Sequence, residues 1–210
     1  MKLTILSTSD THGYLLPTDY RAKQQDSPLG LARAQAVIDR ERQLAGADPV
    51  IVIENGDFLQ GSPFAYYQAK VDQDVRPLTQ AYDRLHYQVG IIGNHEFNYG
   101  RDYLETAIKA SQRPFACANI LDENDQPALA APYQLLDCGG IKVAVLGLTT
   151  QYIPHWEAPA KIQGLHFVSA VKTAAHWVPK LHQLADIVIV AYHGGFERDL
   201  KTSKQLRKLS

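Results

Sequence analysis

The stretch "GIIGNHEFNYG", residues 90–100, decides how this chain is to be read. A short apolar run, Ile91-Ile92, gives way at once to Asn94, His95 and Glu96, with Gly93 before them and Gly100 after. A solvent-facing turn uses glycine, and asparagine at most. It has no structural use for an imidazole beside a carboxylate. The apolar part, "QVGIIG" (88–93), predicts a buried strand, and the polar triplet then stands at its C-terminal end.

The same arrangement recurs outward in both directions. Strands are expected at "LTILSTS" (3–9), "PVIVIE" (49–54), "FACANI" (115–120) and "DIVIVAY" (186–192). Near-continuous apolar character suits strands buried on both faces. Helical periodicity lies between them, at 31–46 closed by Gly46, at 77–88 opened by Pro77, at 101–112, and at 170–185 with Pro179 as an expected kink. One piece breaks the alternation. "YQLLDCGGIKVAVLGLT" (133–149) reads as two strands around Gly139-Gly140, a hairpin. It does not open a helix, so it is no dinucleotide-binding loop. The sum is an α/β chain with a mainly parallel sheet and an antiparallel part.

The decisive polar residues stand just past the strand ends. Asp10 and His12 come after the first strand, Asp57 after the second, Asn94 and His95 after the third, and His193 after the strand at 186–192. Parallel strands deliver their C-terminal ends to one edge, where ligands bind. Taken singly, "SDTHG", "NGD" and "HGG" also serve as ordinary caps and turns. Together, at matching strand ends, they converge carboxylate, imidazole and amide groups on one crevice. That mixed donor set suits Mn²⁺, Fe or Zn²⁺ better than Ca²⁺. With one carboxylate shared, two ions at ~3.5–4 Å would activate water and clamp an in-line displacement at phosphorus.

Bulk properties narrow the field further. The 210 residues carry a formal charge of -1, which gives no basic field for a nucleic-acid polymer or an anionic membrane. No apolar run approaches the ~20 residues of a membrane span. The start, "MKLTILSTSD", lacks the apolar region of a secretory signal, so a cytoplasmic protein is expected. Cys117 and Cys138, without a CxxC, are read as buried free thiols.

"SDTHG", "NGDFLQGS", "GNHEFNYG", "ANI" and "YHGG", in this order, resemble the N-terminal domain of the calcineurin-like metallophosphoesterases. Within that family they are most similar to the 5′-nucleotidase and 2′,3′-cyclic-nucleotide 2′-phosphodiesterase group. The resemblance implies two mixed β-sheets flanked by helices, an α/β/β/α sandwich, and hydrolysis of nucleotide phosphate esters by two divalent metal ions. It assigns Asp10 and His12 to the first ion, Asp57 to the bridge, and Asn94 and His193 to the second. His95 would steady the phosphoryl group or protonate the leaving oxygen, and Glu96 would support the turn. Gln60, near Asp57, is a candidate to orient water.

The chain departs from the family pattern twice. The nucleotidases place Asp three residues after the catalytic His, where this chain has Asn98. Asn98 can orient the ring but brings no charge. The Asn form inclines the reading to a cyclic-nucleotide phosphodiesterase/3′-nucleotidase, with 5′-nucleotidase and a catalytically impaired metal-binding fragment as alternatives. The family's closing "GHxH"-type segment is also absent, and no histidine follows His193 in the 17 residues to Ser210. Residues 1–210 are therefore expected to be a domain truncated before its last ligands and the base-binding domain. Weak metal binding and self-association through an exposed sheet edge are the expected results. His86, His155, His166, His176 and His182 are assigned to core or surface, and Tyr66-Tyr67 and "HWEAP" (155–159) to a pocket wall or core edge.

Overall fold

The computed structural model describes residues 2–19 and 26–195. The basic tail "KTSKQLRKLS" lies outside the described residues. In chain order the elements are β1 (Thr4–Thr8), α1 (Leu31–Ala45), β2 (Val50–Glu54), α2 (Pro63–Tyr67), α3 (Arg76–Asp83), β3 (Val89–Ile91), α4 (Arg101–Ala110), β4 (Phe115–Ala116), β5 (Ile120–Leu121), β6 (Tyr133–Cys138), β7 (Ile141–Thr149), β8 (His166–Phe167), α5 (Ala170–Leu181) and β9 (Ile187–His193).

The first sheet has the order β1-β2-β3-β4, and every pairing in it is parallel. Strands added one after another by right-handed crossovers keep all connecting helices on one face. The other face is then free to accept a second sheet. That sheet has the order β6-β7-β9, antiparallel in its first pair and parallel in its second. Gly139 and Gly140, at φ 67° and 89°, form the two-residue turn between β6 and β7, where Cys138 pairs with Ile141. A two-stranded antiparallel pair, β5 with β8, completes the described strands.

Strand alternation sorts the core into three layers. Val52, Ile92 and Phe115 face the helices, against Ile38, Leu78, Tyr82 and Leu104. Ile51, Ile53, Val89 and Ile91 point the other way and meet Val143, Val145 and Ala191 of the second sheet. Ala144, Leu146 and Leu148 turn outward, where Trp177, Val178 and Leu181 of α5 cover them. Each fully buried aliphatic side chain contributes about 1.5–3 kcal/mol, so the middle layer is what holds the two sheets together. The result is an α/β/β/α sandwich.

Sequence and structure differ at a few elements. The helix expected at 77–88 ends at Asp83, because the chain turns through Leu85 and His86, the latter at φ 50°. Residues 115–120 hold two short strands in place of one. Pro179 lies inside α5, in its last turn, where it cannot donate the usual helical hydrogen bond to the Ala175 carbonyl, and the helix ends two residues later at Leu181. Cys117 and Cys138 are free and buried. Among the described residues no helix is long and apolar enough to cross a membrane.

Candidate metal centre

Beyond the ends of β1 and β2 the two chains stay linked in irregular form. The N–H of Asn55 donates to the Thr8 carbonyl, that of Asp10 to Gly56, that of His12 to Asp57, and that of Ser62 to His12. Ser62 then caps α2, accepting from the Ala65 N–H at 3.0 Å, while its hydroxyl donates to the Gly13 carbonyl at 2.6 Å. This lacing forces unusual backbone. Asp10, His12 and Asp57 all take left-handed conformations, at φ 55°, 50° and 63°. Non-glycine residues rarely adopt this region, and they cluster where a site demands it.

The loops bring donors together. Asp10, Asp57 and His193 each offer a ligand atom, all within 4.8 Å of one another. His193 Nε2 lies 3.2 Å from Asp57 Oδ2 and 3.2 Å from Asn94 Oδ1. His12 joins through Asp10, with Nε2 4.0 Å from Asp10 Oδ1. His193 is the last residue of β9, so the second sheet contributes to a centre otherwise carried by loops of the first. A cavity of about 250 Å³ opens beside it, with Asp10, Asn94, Trp156 and His193 among its walls.

Both histidines are set for ligation by the same device. His12 Nδ1 is 2.7 Å from the Gln60 carbonyl oxygen, and His193 Nδ1 is 2.6 Å from that of Asn55. A carbonyl only accepts, so Nδ1 carries the hydrogen in each ring and Nε2 is left to face the cluster. At His193 that nitrogen confronts two oxygens, and a positive charge must stand among them. Without a cation it is a proton. Burial opposes charging, but the Asp57 carboxylate outweighs it and pushes His193 up to about 9. Burial would likewise raise Asp57, yet hydrogen bonding and attraction from His193, with the His95 N–H, hold it below the usual carboxylate range. Carboxylate, amide and imidazole donors around a spot that requires positive charge fit a divalent cation.

Glu96 explains why the motif needs an acid. Its Oε2 accepts the N–H groups of Asp57 and Gly93 at 2.9 and 2.6 Å, and its Oε1 those of Phe58 and Leu59 at 2.7 and 3.2 Å. Burial and the Asp57 charge push this carboxyl up. Four N–H donors nevertheless fill every lone-pair position and leave no room for a proton, so the anion is retained. Glu96 thus ties the loop after β3 to the loop after β2. Gly93 belongs to the same joint, since a Cβ there would stand 2.3 Å from Asp57 Oδ1.

His95 lies beside the cluster, its ring edge-on to His12 with centroids 5.1 Å apart. The backbone N–H of His95 donates to Asp57 Oδ1 at 2.8 Å, and its Nδ1 is 2.7 Å from Asn98 Oδ1. Gln60 enters through its backbone carbonyl, the acceptor for His12. Two participants, Asn55 and Glu157, the latter accepting a hydrogen bond from the Asn98 amide, were not singled out from sequence. Asn55 acts through main-chain oxygen, which leaves no signature in side-chain identity.

Oxygen and imidazole donors carried on loops at strand ends are how metal-assisted hydrolases are built. Comparison with known proteins makes the class specific. The chain belongs to the calcineurin-like phosphoesterase family, whose profile matches residues 3–209. This is a family of metal-dependent enzymes. A 2′,3′-cyclic-nucleotide 2′-phosphodiesterase/3′-nucleotidase from Salmonella typhimurium is 34% identical over 211 residues, which cover 94% of this chain and 32% of that protein. A 5′-nucleotidase from Vibrio cholerae is 30% identical over 198 residues, covering 92% of this chain and 34% of its own length. Among solved structures, a candidate 5′-nucleotidase from Staphylococcus aureus superposes with a TM-score of 0.91 at 40% identity, over 99% of this chain and 40% of that one. The chain spans about a third of the length of the curated relatives it matches.

Proposed function

We propose that this chain is the metal-bearing domain of a phosphoesterase that acts on nucleotides. The observation that carries the reading is the convergence of Asp57 Oδ2 and Asn94 Oδ1 on His193 Nε2, each at 3.2 Å. In this reading Asp10 and His12 would hold one divalent cation, Asn94 and His193 would hold a second, and Asp57 would contribute to both. Mn²⁺, Fe and Zn²⁺ all suit the donors, alone or mixed. The bound pair would supply an activated water and charge stabilisation at phosphorus.

The chain's own residues do the rest. Gln60 and Asn55 carbonyls keep the two ligand imidazoles in the Nδ1–H tautomer. Glu96 holds Asp57 in place through the neighbouring N–H groups. His95 is the acid that passes a proton to the leaving oxygen or steadies the phosphoryl charge, and Asn98 orients its ring. The preferred substrate is a 2′,3′-cyclic nucleotide or 3′-monoester. Asn98 supports this choice, as does the similarity to the Salmonella protein. The similarity to the Vibrio protein supports 5′-monoesters as the second reading. Self-association would use the outer edge of β9, where Val190 is 44% exposed.

The test is hydrolysis of bis(p-nitrophenyl) phosphate with added Mn²⁺, then 2′,3′-cyclic AMP against 5′-AMP. Turnover is expected in the parent and is expected to vanish in Asp57→Asn. Metal binding without turnover would leave a silent cation-binding domain in place of an enzyme.

A further inference from the structure

Glu157 stands on the loop after β7, its side chain 6% exposed. Its Oε1 accepts a hydrogen bond from Asn98 Nδ2, and its Oε2 accepts one from Lys161 Nζ at 3.0 Å. Its own N–H is tied to the Ile153 carbonyl at 3.0 Å, and Ile153 is fully buried. The carboxylate is therefore anchored from both ends.

We propose that Glu157 is a positioning residue for His95, acting through Asn98. A carboxylate cannot donate, so the side of the Asn98 amide that meets Glu157 must be NH2. The opposite side is then the carbonyl oxygen, 2.7 Å from His95 Nδ1. That oxygen cannot donate either, so Nδ1 carries the hydrogen. His95 Nε2 becomes the nitrogen that exchanges charge or a proton with substrate. An aspartate at position 98 would impose this alone, because both of its oxygens accept. An asparagine can turn over, presenting NH2 to the ring and reversing the tautomer. Glu157 removes that freedom, supplying from 59 positions away the anion that residue 98 lacks. The role of Nε2 rests on the proposed phosphoesterase reading. The direction of the amide and the His95 tautomer do not.

The experiment measures both separately. Long-range ¹H–¹⁵N correlation spectra of the full chain in chelator, at alkaline pH, report the His95 tautomer without need of activity. The parent is expected to show Nδ1–H, and Glu157→Ala a mixture with Nε2–H. Asn98→Asp with Glu157→Gln transposes amide and carboxylate, and is expected to restore Nδ1–H. In the Mn²⁺-loaded diesterase assay, Glu157→Ala should lower kcat by about 10- to 100-fold, the usual effect of losing an orienting partner, with KM unchanged. Should Glu157→Ala not fold, Glu157→Gln gives the same reading, since its amide lets Asn98 turn. A His95 tautomer unchanged in the Glu157 variants overturns the proposal. A parent with no turnover but with the tautomer shift would sink the phosphoesterase reading and leave this one standing.

Discussion

Glu96→Gln is the change from which the structure predicts most. The carboxylate accepts two N–H groups on each oxygen: Asp57 and Gly93 on one, Phe58 and Leu59 on the other. A glutamine must turn its NH2 to one pair or the other, so two buried donors lose their acceptor in either orientation. An unpaired buried polar group costs about 1–3 kcal/mol, hence about 2–6 kcal/mol for two. Removing a buried charge offsets part of this, because burial already pushes Glu96 up. A net loss of about 3 kcal/mol is expected. For a chain of this size that lowers Tm by roughly 6–12 °C. Thermal unfolding followed by circular dichroism, in chelator so that bound metal does not contribute, measures it. A Tm within about 2 °C of the parent would refute the expected net loss, and with it the claim that Glu96 joins the two loops by its charge.

Gly93→Ala places a methyl 2.3 Å from Asp57 Oδ1, so the carboxylate must move. A loss of Mn²⁺ affinity of about 10-fold or more is expected by isothermal titration. Arg113 lies buried with its guanidinium 3.5 Å from Glu54 Oε2 and 4.4 and 4.7 Å from the Phe58 and Phe115 rings. Burial pushes Glu54 up to about 8 even with Arg113 beside it, so the pair is charged only above that pH. Arg113→Met should therefore cost about 3–5 kcal/mol in urea unfolding at about pH 9 and clearly less at about pH 7, and adding Glu54→Gln should remove that pH dependence.

Much of this architecture could be read from residue pattern alone. β2, β7 and β9 are nearly continuous apolar runs, and Gly139-Gly140 marks the hairpin, so these elements lie within a residue or two of expectation. α2 escaped, being a short α-helical piece opened by Ser62-Pro63 that runs directly into a π-helical stretch, Gln68–Asp72, with Tyr66, Tyr67 and Val71 exposed, so no amphipathic period betrays it. The convergence of Asp10, Asp57, Asn94 and His193 was legible from their places after strands. What could not be read was the company they keep. Glu96 was expected to support its own turn, yet three of its partners lie 37–39 positions away. The acceptors for His12 and His193 are main-chain carbonyls. Glu157, in a segment assigned to a pocket wall or core edge, meets Asn98 only because the fold brings a distant loop across. Local pattern carries the strands; nonlocal hydrogen bonds carry the orientation of the side chains.

Because His193 rides on the second sheet while Asp10, Asp57 and Asn94 ride on the first, the cluster works as a clasp across the sandwich. Its halves are far apart in sequence, so it closes late, after slow long-range strand pairing has stacked the sheets. No intermediate with one sheet formed can offer the complete grip. A cation seated there would have to leave before the layers could part, which makes occupancy and sheet docking a single linked equilibrium.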